Sequence, residues 1–290
     1  MRAISENAYA KINLGLDIIG RRKDGYHLVR MIMQEIGLCD NLQIEETDRP
    51  GVFFESDCSV LKPDSSNLAV RAAETVIRLY LPGTGVKIFL EKKIPLASGL
   101  AGGSADAAAI LNGMNQMFAL GLNRGELCRI GLSLGADVPF CICGGTALSE
   151  GIGEILTELP PMPDCAILLA VPELSVSTQE IYHLFDVEDR NIHARIDDQL
   201  KSLYEGDLPN LAGSMKNVLE DVTGARYPVI GQIRTCMMEN GALGARMSGS
   251  GPSVFGIFTD EEKARRAEDA LRKCLPFVNV CLTAPLNRIH

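Results

Sequence analysis

The chain has 290 residues, 28 of them basic and 37 acidic, so its formal net charge is −9. An apolar fraction of 46% can supply a core and excludes disorder as the main state, and an isoelectric point near 5.1 disfavours a general nucleic-acid binder. No stretch approaches the roughly 18 apolar residues of a membrane span, and no apolar signal core precedes Lys11.

Length alone suggests about two domains. The nine cysteines are odd in number and lack the spacing of a zinc site, so reduced core thiols in a cytoplasmic protein are expected. In residues 9–18, Ile12, Leu14, Leu16 and Ile18 alternate with Lys11, Asn13, Gly15 and Asp17. That period of two predicts a strand with Lys11 and Asn13 on one face. The segment from Gly20 to Gly25 reads as a turn, and residues 29–36 and 42–45 as two further strands. A helix is predicted over 67–79, capped by Ser66 or Asn67 and stopped by Pro82-Gly83. A strand over 86–91 leads to Pro95, and an alanine-rich helix is predicted over 105–118. Asn123 with Glu126 three residues later forms a capping-box pattern for a helix ending near Gly135.

Residues 146–149 read as a short strand, and the proline cluster at 159–164 as a boundary between domains 1–160 and 161–290. Beyond it come a buried-type strand (166–171), a helix capped at Ser177, helices over 194–204 and 229–239, and strands over 242–247 and 253–258. A helix opening at Thr259-Asp260 and a strand over 278–282 complete the chain. Strands and helices mix without strict alternation, which predicts an α+β class.

Five segments carry chemistry. Pro95-Leu96-Ala97-Ser98-Gly99-Leu100-Ala101-Gly102-Gly103-Ser104-Ala105 lies between a predicted strand and a predicted helix. Glycines let backbone N–H groups converge, and a helix start behind them adds unpaired donors, which together suit a phosphate. The loop lacks the lysine of a Walker A motif. Asp137 stands between a helix end and Pro139 in apolar surroundings that disfavour a lone carboxylate; read alone, it is also an ordinary turn residue. Lys11 on a strand with one core face is unusual, although a solvated lysine would look the same. Tyr26 and His27 sit side by side in a turn and suit a planar base through stacking and edge hydrogen bonds. Met247-Ser248-Gly249-Ser250-Gly251 again permits close backbone approach.

The order Ala10-Lys11-Ile12-Asn13-Leu14, then the Gly/Ser loop, then Gly135-Ala136-Asp137, then Met247-Ser248-Gly249-Ser250-Gly251 resembles the GHMP kinase superfamily. The Lys-Ile-Asn and Gly-Tyr-His segments narrow the resemblance to a branch that phosphorylates an alcohol of a cytidine diphosphate derivative in non-mevalonate isoprenoid biosynthesis. The resemblance implies an N-terminal domain like ribosomal protein S5 domain 2, a ferredoxin-like C-terminal domain and an active site in the cleft between them. It implies ATP as co-substrate with Mg²⁺, and Asp137 as the group that takes the hydroxyl proton, with Lys11 beside it. Residues 95–105 would hold the ATP phosphates. Asn13 and Gly249 would touch substrate, His27 would hydrogen-bond cytosine, and Tyr26 and Tyr182 would stack on it. Protein ligands for the metal are unknown. The partner is a small molecule, with neither nucleic acid nor membrane, and homodimerisation is left open. A homoserine- or phosphomevalonate-type kinase and a non-catalytic kinase-like sensor are the alternatives. The family commonly has more glycine where Ala97 and Ala101 stand, and a second serine where Ala105 stands. Ala101 is strained if its φ is positive, whereas helical or extended dihedrals remove the difficulty.

Overall fold

The strand predicted from Tyr9 extends in both directions in the structure, a computed structural model that describes residues 2–187 and 192–287. The chain runs β1 (Ala3–Arg21), β2 (His27–Thr47), β3 (Gly51–Ser56), α1 (Leu68–Tyr80), β4 (Gly85–Glu91), α2 (Gly102–Met117), α3 (Arg124–Leu132) and α4 (Val138–Cys143). It continues through β5 (Thr146–Glu150), β6 (Ile155–Glu158), β7 (Ala166–Pro172), α5 (Thr178–Val187), α6 (Ile196–Glu205), α7 (Leu208–Ser214) and β8 (Lys216–Asn217). Then come α8 (Glu220–Arg226), α9 (Val229–Glu239), β9 (Gly244–Met247), β10 (Val254–Phe258), α10 (Glu261–Cys274) and β11 (Val278–Thr283). The class is α+β.

The two strands expected at 29–36 and 42–45 are one strand, β2, of 21 residues. Gly37 and Asp40 interrupt the apolar pattern, but β1 lies along one side, and on the other the Gly37 N–H donates to the Ala284 carbonyl at 3.0 Å and β4 pairs with residues 41–47, which keeps the strand continuous. The caps behave as their residue types dictate. Asn67 accepts the Ala69 N–H ahead of α1, and Asn123 and Glu126 complete a reciprocal capping box at α3. Asp260, not Thr259, caps α10 through the Lys263 N–H. The elements that pattern alone missed are β3, α4, β6, α7, β8 and α8, all of seven residues or fewer. Such lengths give too few repeats for a periodicity to register.

Two compact units are built from interleaved segments. The first comprises residues 1–10, 38–96 and 101–143. Its sheet follows the order β3-β4-β2-β1, with β3 parallel to β4 and β2 antiparallel to β4. Leu42, Ile44, Ile88 and Leu90 are fully buried on this sheet. The small side chains Ala69, Ala72 and Ala73 of α1 and Ala107 and Ala108 of α2 let those two helices pack closely.

The second unit comprises residues 11–37, 97–100 and 144–290. Its four-stranded antiparallel sheet has the order β11-β7-β10-β9, and α9 and α10 pack on it. Every residue of β7 and β10 is buried, so the run at 166–171 read correctly as a doubly covered strand. In the same unit β5 pairs with β2 and β6, and β8 pairs in parallel with β1.

Burial sets which aromatic residues hold this unit. Phe255 is 0% exposed on β10, whereas Phe277 is 53% exposed. Phe255→Ala is expected to cost about 3–5 kcal/mol and Phe277→Ala under about 0.5 kcal/mol, measured as urea midpoints at unchanged m-value.

Candidate functional site

Two positions apart on β1, Lys11 and Asn13 point the same way, as their spacing requires. Lys11 Nζ donates to Asn13 Oδ1 at 2.7 Å and to the Gly99 carbonyl at 3.2 Å. Both side chains are buried, at 4% and 1% exposure, so Lys11 is no solvated lysine but a charge held by named acceptors. Ser248 Oγ donates to the same Gly99 carbonyl at 3.0 Å. Further main-chain bonds fix this stretch: Lys11 N–H to the Leu100 carbonyl at 3.1 Å, and Ser253 N–H to the Ser98 carbonyl at 3.2 Å. The turn after β9 is itself held by Asn217, whose Nδ2 donates to the carbonyls of Met247 and Gly249, each at 2.8 Å. Gly99 has φ +79°, and a Cβ there would strike the Ser248 carbonyl, so only glycine fits. Gly249 lies against the same stretch less tightly: a Cβ on it would lie 3.3 Å from the Gly99 carbonyl and 3.6 Å from Asn13 Oδ1.

The loop is shorter than expected. α2 begins at Gly102, so Gly102, Gly103, Ser104 and Ala105 form its first turn. The helix predicted to start at Ala105 recruits these residues because Ala101 turns into the left-handed region and serves as its N-cap. Ala97 and Ala101 have φ +48° and +59°. Both alanines therefore adopt the conformation that a side chain disfavours by about 1–2 kcal/mol. No side chain caps α2, and Ser104 lies in the first turn instead. The N–H groups of Gly102, Gly103 and Ser104 have no acceptor within the helix, whereas the Ala105 N–H donates to the Ala101 carbonyl at 2.9 Å. Pro95 and Leu96 lead into the loop, while the side chains of Leu100 and Ala105 are core.

Asp137 is half-buried and immediately precedes α4, where its carbonyl accepts the Cys141 N–H at 3.1 Å. Two residues earlier, Gly135 faces α2, its absent Cβ site 3.7 Å from Ser104 Oγ.

His27, the first residue of β2, meets Tyr182 of α5 with ring centroids 4.9 Å apart and planes tilted by 42°. His27 Nε2 lies 2.7 Å from Asp186 Oδ1, and the other Asp186 oxygen pairs with Arg21 Nη1 at 3.0 Å. A carboxylate accepts only, so Nε2 carries a proton, and in the neutral form of the ring Nδ1 is left as an acceptor. Tyr26, beside them in sequence, is 60% exposed. Asp186 and Arg21 were not singled out from the sequence. Asp186 had a signal, standing four residues after Tyr182 on one helix face, whereas Arg21 had none. Among the described residues, no group of three or more His, Cys, Asp or Glu side chains could hold a metal ion, and no helix is long and apolar enough to cross a membrane.

Residues 67–145 match the GHMP kinases N terminal domain, and residues 199–276 match the GHMP kinases C terminal domain. The chain is 48% identical over 274 residues to the 4-diphosphocytidyl-2-C-methyl-D-erythritol kinase of Acetivibrio thermocellus, covering 94% of this chain and 96% of that one. It is 44% identical over 276 residues to the enzyme of that name from Clostridium botulinum, covering 95% and 98%. A crystal structure of a 4-(cytidine 5'-diphospho)-2C-methyl-D-erythritol kinase superposes with a TM-score of 0.83 at 32% identity, covering 98% of this chain and all of that one. With both domains matched and close relatives spanning almost its whole length, the chain belongs to the GHMP kinases and, among them, to the 4-diphosphocytidyl-2-C-methyl-D-erythritol kinase family.

Proposed function

We infer that this chain transfers the γ-phosphoryl group of ATP to the 2-hydroxyl of 4-diphosphocytidyl-2-C-methyl-D-erythritol, a step in non-mevalonate isoprenoid biosynthesis. The reading rests above all on relatives of that name at 44% and 48% identity over nearly full length. The uncapped first turn of α2, in a protein of net charge −9, supports local anion binding by backbone amides.

In this reading residues 95–105 hold the triphosphate, with Leu100 and Ala105 contributing backbone only, since their side chains are core. Asp137 takes the hydroxyl proton. A carboxylate is a weak base toward an alcohol, which suits a loose transition state from which the proton leaves late. Positioning and charge compensation then dominate, with Lys11 offsetting phosphate charge and Asn13 and Gly249 near the acceptor. Mg²⁺ accompanies ATP as counter-ion to its phosphate oxygens, the usual mode for an ion that keeps much of its water and needs no all-protein cage.

Cytosine recognition falls to His27, Tyr182 and Tyr26. The His27 Nδ1 acceptor matches the exocyclic amine of cytosine and opposes the carbonyl oxygen that uracil carries there. Asp186 is a positioning residue in this scheme, because it fixes which ring nitrogen bears the proton.

Three measurements test the reading. In an ADP-release assay over superfamily substrates, the cytidine compound is expected to give the highest kcat/KM. A higher value for homoserine or phosphomevalonate would refute the acceptor, and no release with any substrate would favour a sensor. Asp137→Asn is expected to lower kcat by about 10²–10⁴ with a much smaller change in KM. Near-normal turnover would remove Asp137 as the base. Asp186→Asn, which can donate to Nε2, is expected to erode the preference for CDP over UDP in competition binding by about tenfold, or 1.4 kcal/mol. An unchanged preference would exclude the tautomer argument.

A further inference from the structure

Three charged side chains of the first unit are buried where the proposed reaction makes no use of them. Asp40 on β2, Lys92 just after β4 and Asp106 in α2 have side-chain exposures of 0%, 4% and 4%. The Lys92 ammonium bonds Asp40 Oδ2, and it reaches Asp106 Oδ2 at 2.8 Å. Asp40 Oδ1 accepts the backbone N–H groups of Lys93 and Ile94, at 2.5 and 2.7 Å. A Cβ on Gly102 would stand 3.0 Å from Lys92 Nζ and 2.9 Å from Ile94 Cγ2. Residues 92–94 enter the phosphate loop and residues 102–106 leave it, so one ammonium ties the two ends together. Between them stand the left-handed Ala97 and Ala101, a conformation that persists only where the surroundings impose it.

We propose that Asp40, Lys92 and Asp106 form a proton-sharing clamp that closes the ends of the phosphate loop, with Asp106 as a positioning residue for ATP. This rests on the reading that residues 95–105 bind the triphosphate. The cluster has two carboxyls and one ammonium. Asp40 is bonded through both oxygens, whereas Asp106 Oδ1 is buried without a hydrogen-bond partner. A proton on Asp106 makes the cluster neutral and gives this carboxyl a donor for Asp40, which lies within its reach. Burial, opposed by Lys92 and reinforced by Asp40, pushes the Asp106 carboxyl up to about 7. Lys92 and Asp40 are the charged groups that act most strongly on it.

The sign of the linkage follows. Because this carboxyl titrates higher folded than unfolded, the folded chain binds the extra proton between about pH 4 and pH 7. The stability it contributes is full below about pH 4 and is lost as pH rises through about 7. Above that the clamp is net negative, and its hold on the loop weakens.

The test compares the full chain with Asp106→Asn, which resembles the neutral acid and does not titrate. Melting without nucleotide should show wild type losing stability relative to Asp106→Asn as pH rises from 5 to 7, with a constant difference above about 8. ATP affinity by calorimetry should fall in wild type relative to Asp106→Asn by at least about threefold between pH 6 and pH 8; taking the ratio cancels the titration of ATP itself. Lys92→Met, if folded, should weaken ATP binding about tenfold or more, with a smaller effect on kcat. Parallel melting profiles at every pH would overturn the shared proton, whatever the enzyme's substrate. A melting difference with a flat affinity ratio would overturn the positioning role. Failure of wild type to bind ATP would refute the loop assignment and this role with it, while the melting arm still decides the proton.

Discussion

Backbone amides can be aimed at an anion only if the chain that carries them is kept from relaxing. Here that chain contains two alanines in the left-handed region, and neither has a side chain that could hold the conformation. The hold comes from elsewhere. The Gly99 carbonyl takes Lys11 and Ser248, the Leu100 carbonyl takes the Lys11 amide, and the Ser98 carbonyl takes Ser253. Asn217 in turn braces the stretch after β9 that carries Ser248 and Ser253. The amides of Gly102, Gly103 and Ser104, at the start of α2, have no acceptor within the helix.

On the proposed reading, this division is how a chain of net charge −9 would hold polyanionic substrates. In that reading the attraction comes from oriented dipoles over a few residues, with buried Lys11 as a fixed charge. Lys11 combines an observed structural role with a proposed chemical one. Its ammonium organises Asn13 and Gly99, and in the proposed reaction the same charge would offset that of the transferring phosphoryl group. A cation so constrained has little reorganisation left to do during reaction.

Much of this was legible in the sequence because it follows from spacing. Lys11 and Asn13 share a face through period two, and Asn67, Asn123 and Ser177 mark helix starts by residue type. The Gly/Ser loop and the turn around Gly249 were each visible, but their mutual contact was not. It depends on a Gly99 carbonyl bonded by a serine 149 positions away. The start of α2 was misplaced because glycines read as loop, whereas a left-handed Ala101 lets them enter the helix. The buried charges left a faint sign: Asp106 interrupts an alanine run and Asp40 an apolar strand, and each cost of burial implies a partner. Which partner was a matter of tertiary structure, as it was for Asp186 and Arg21 around His27.

Hydrogen exchange with and without ATP tests the central claim most directly, because it reads the amides themselves. The account predicts that ATP slows exchange at residues 99–104, at the end of the loop and the first turn of α2. Unchanged exchange there, with protection appearing at another segment, would contradict it.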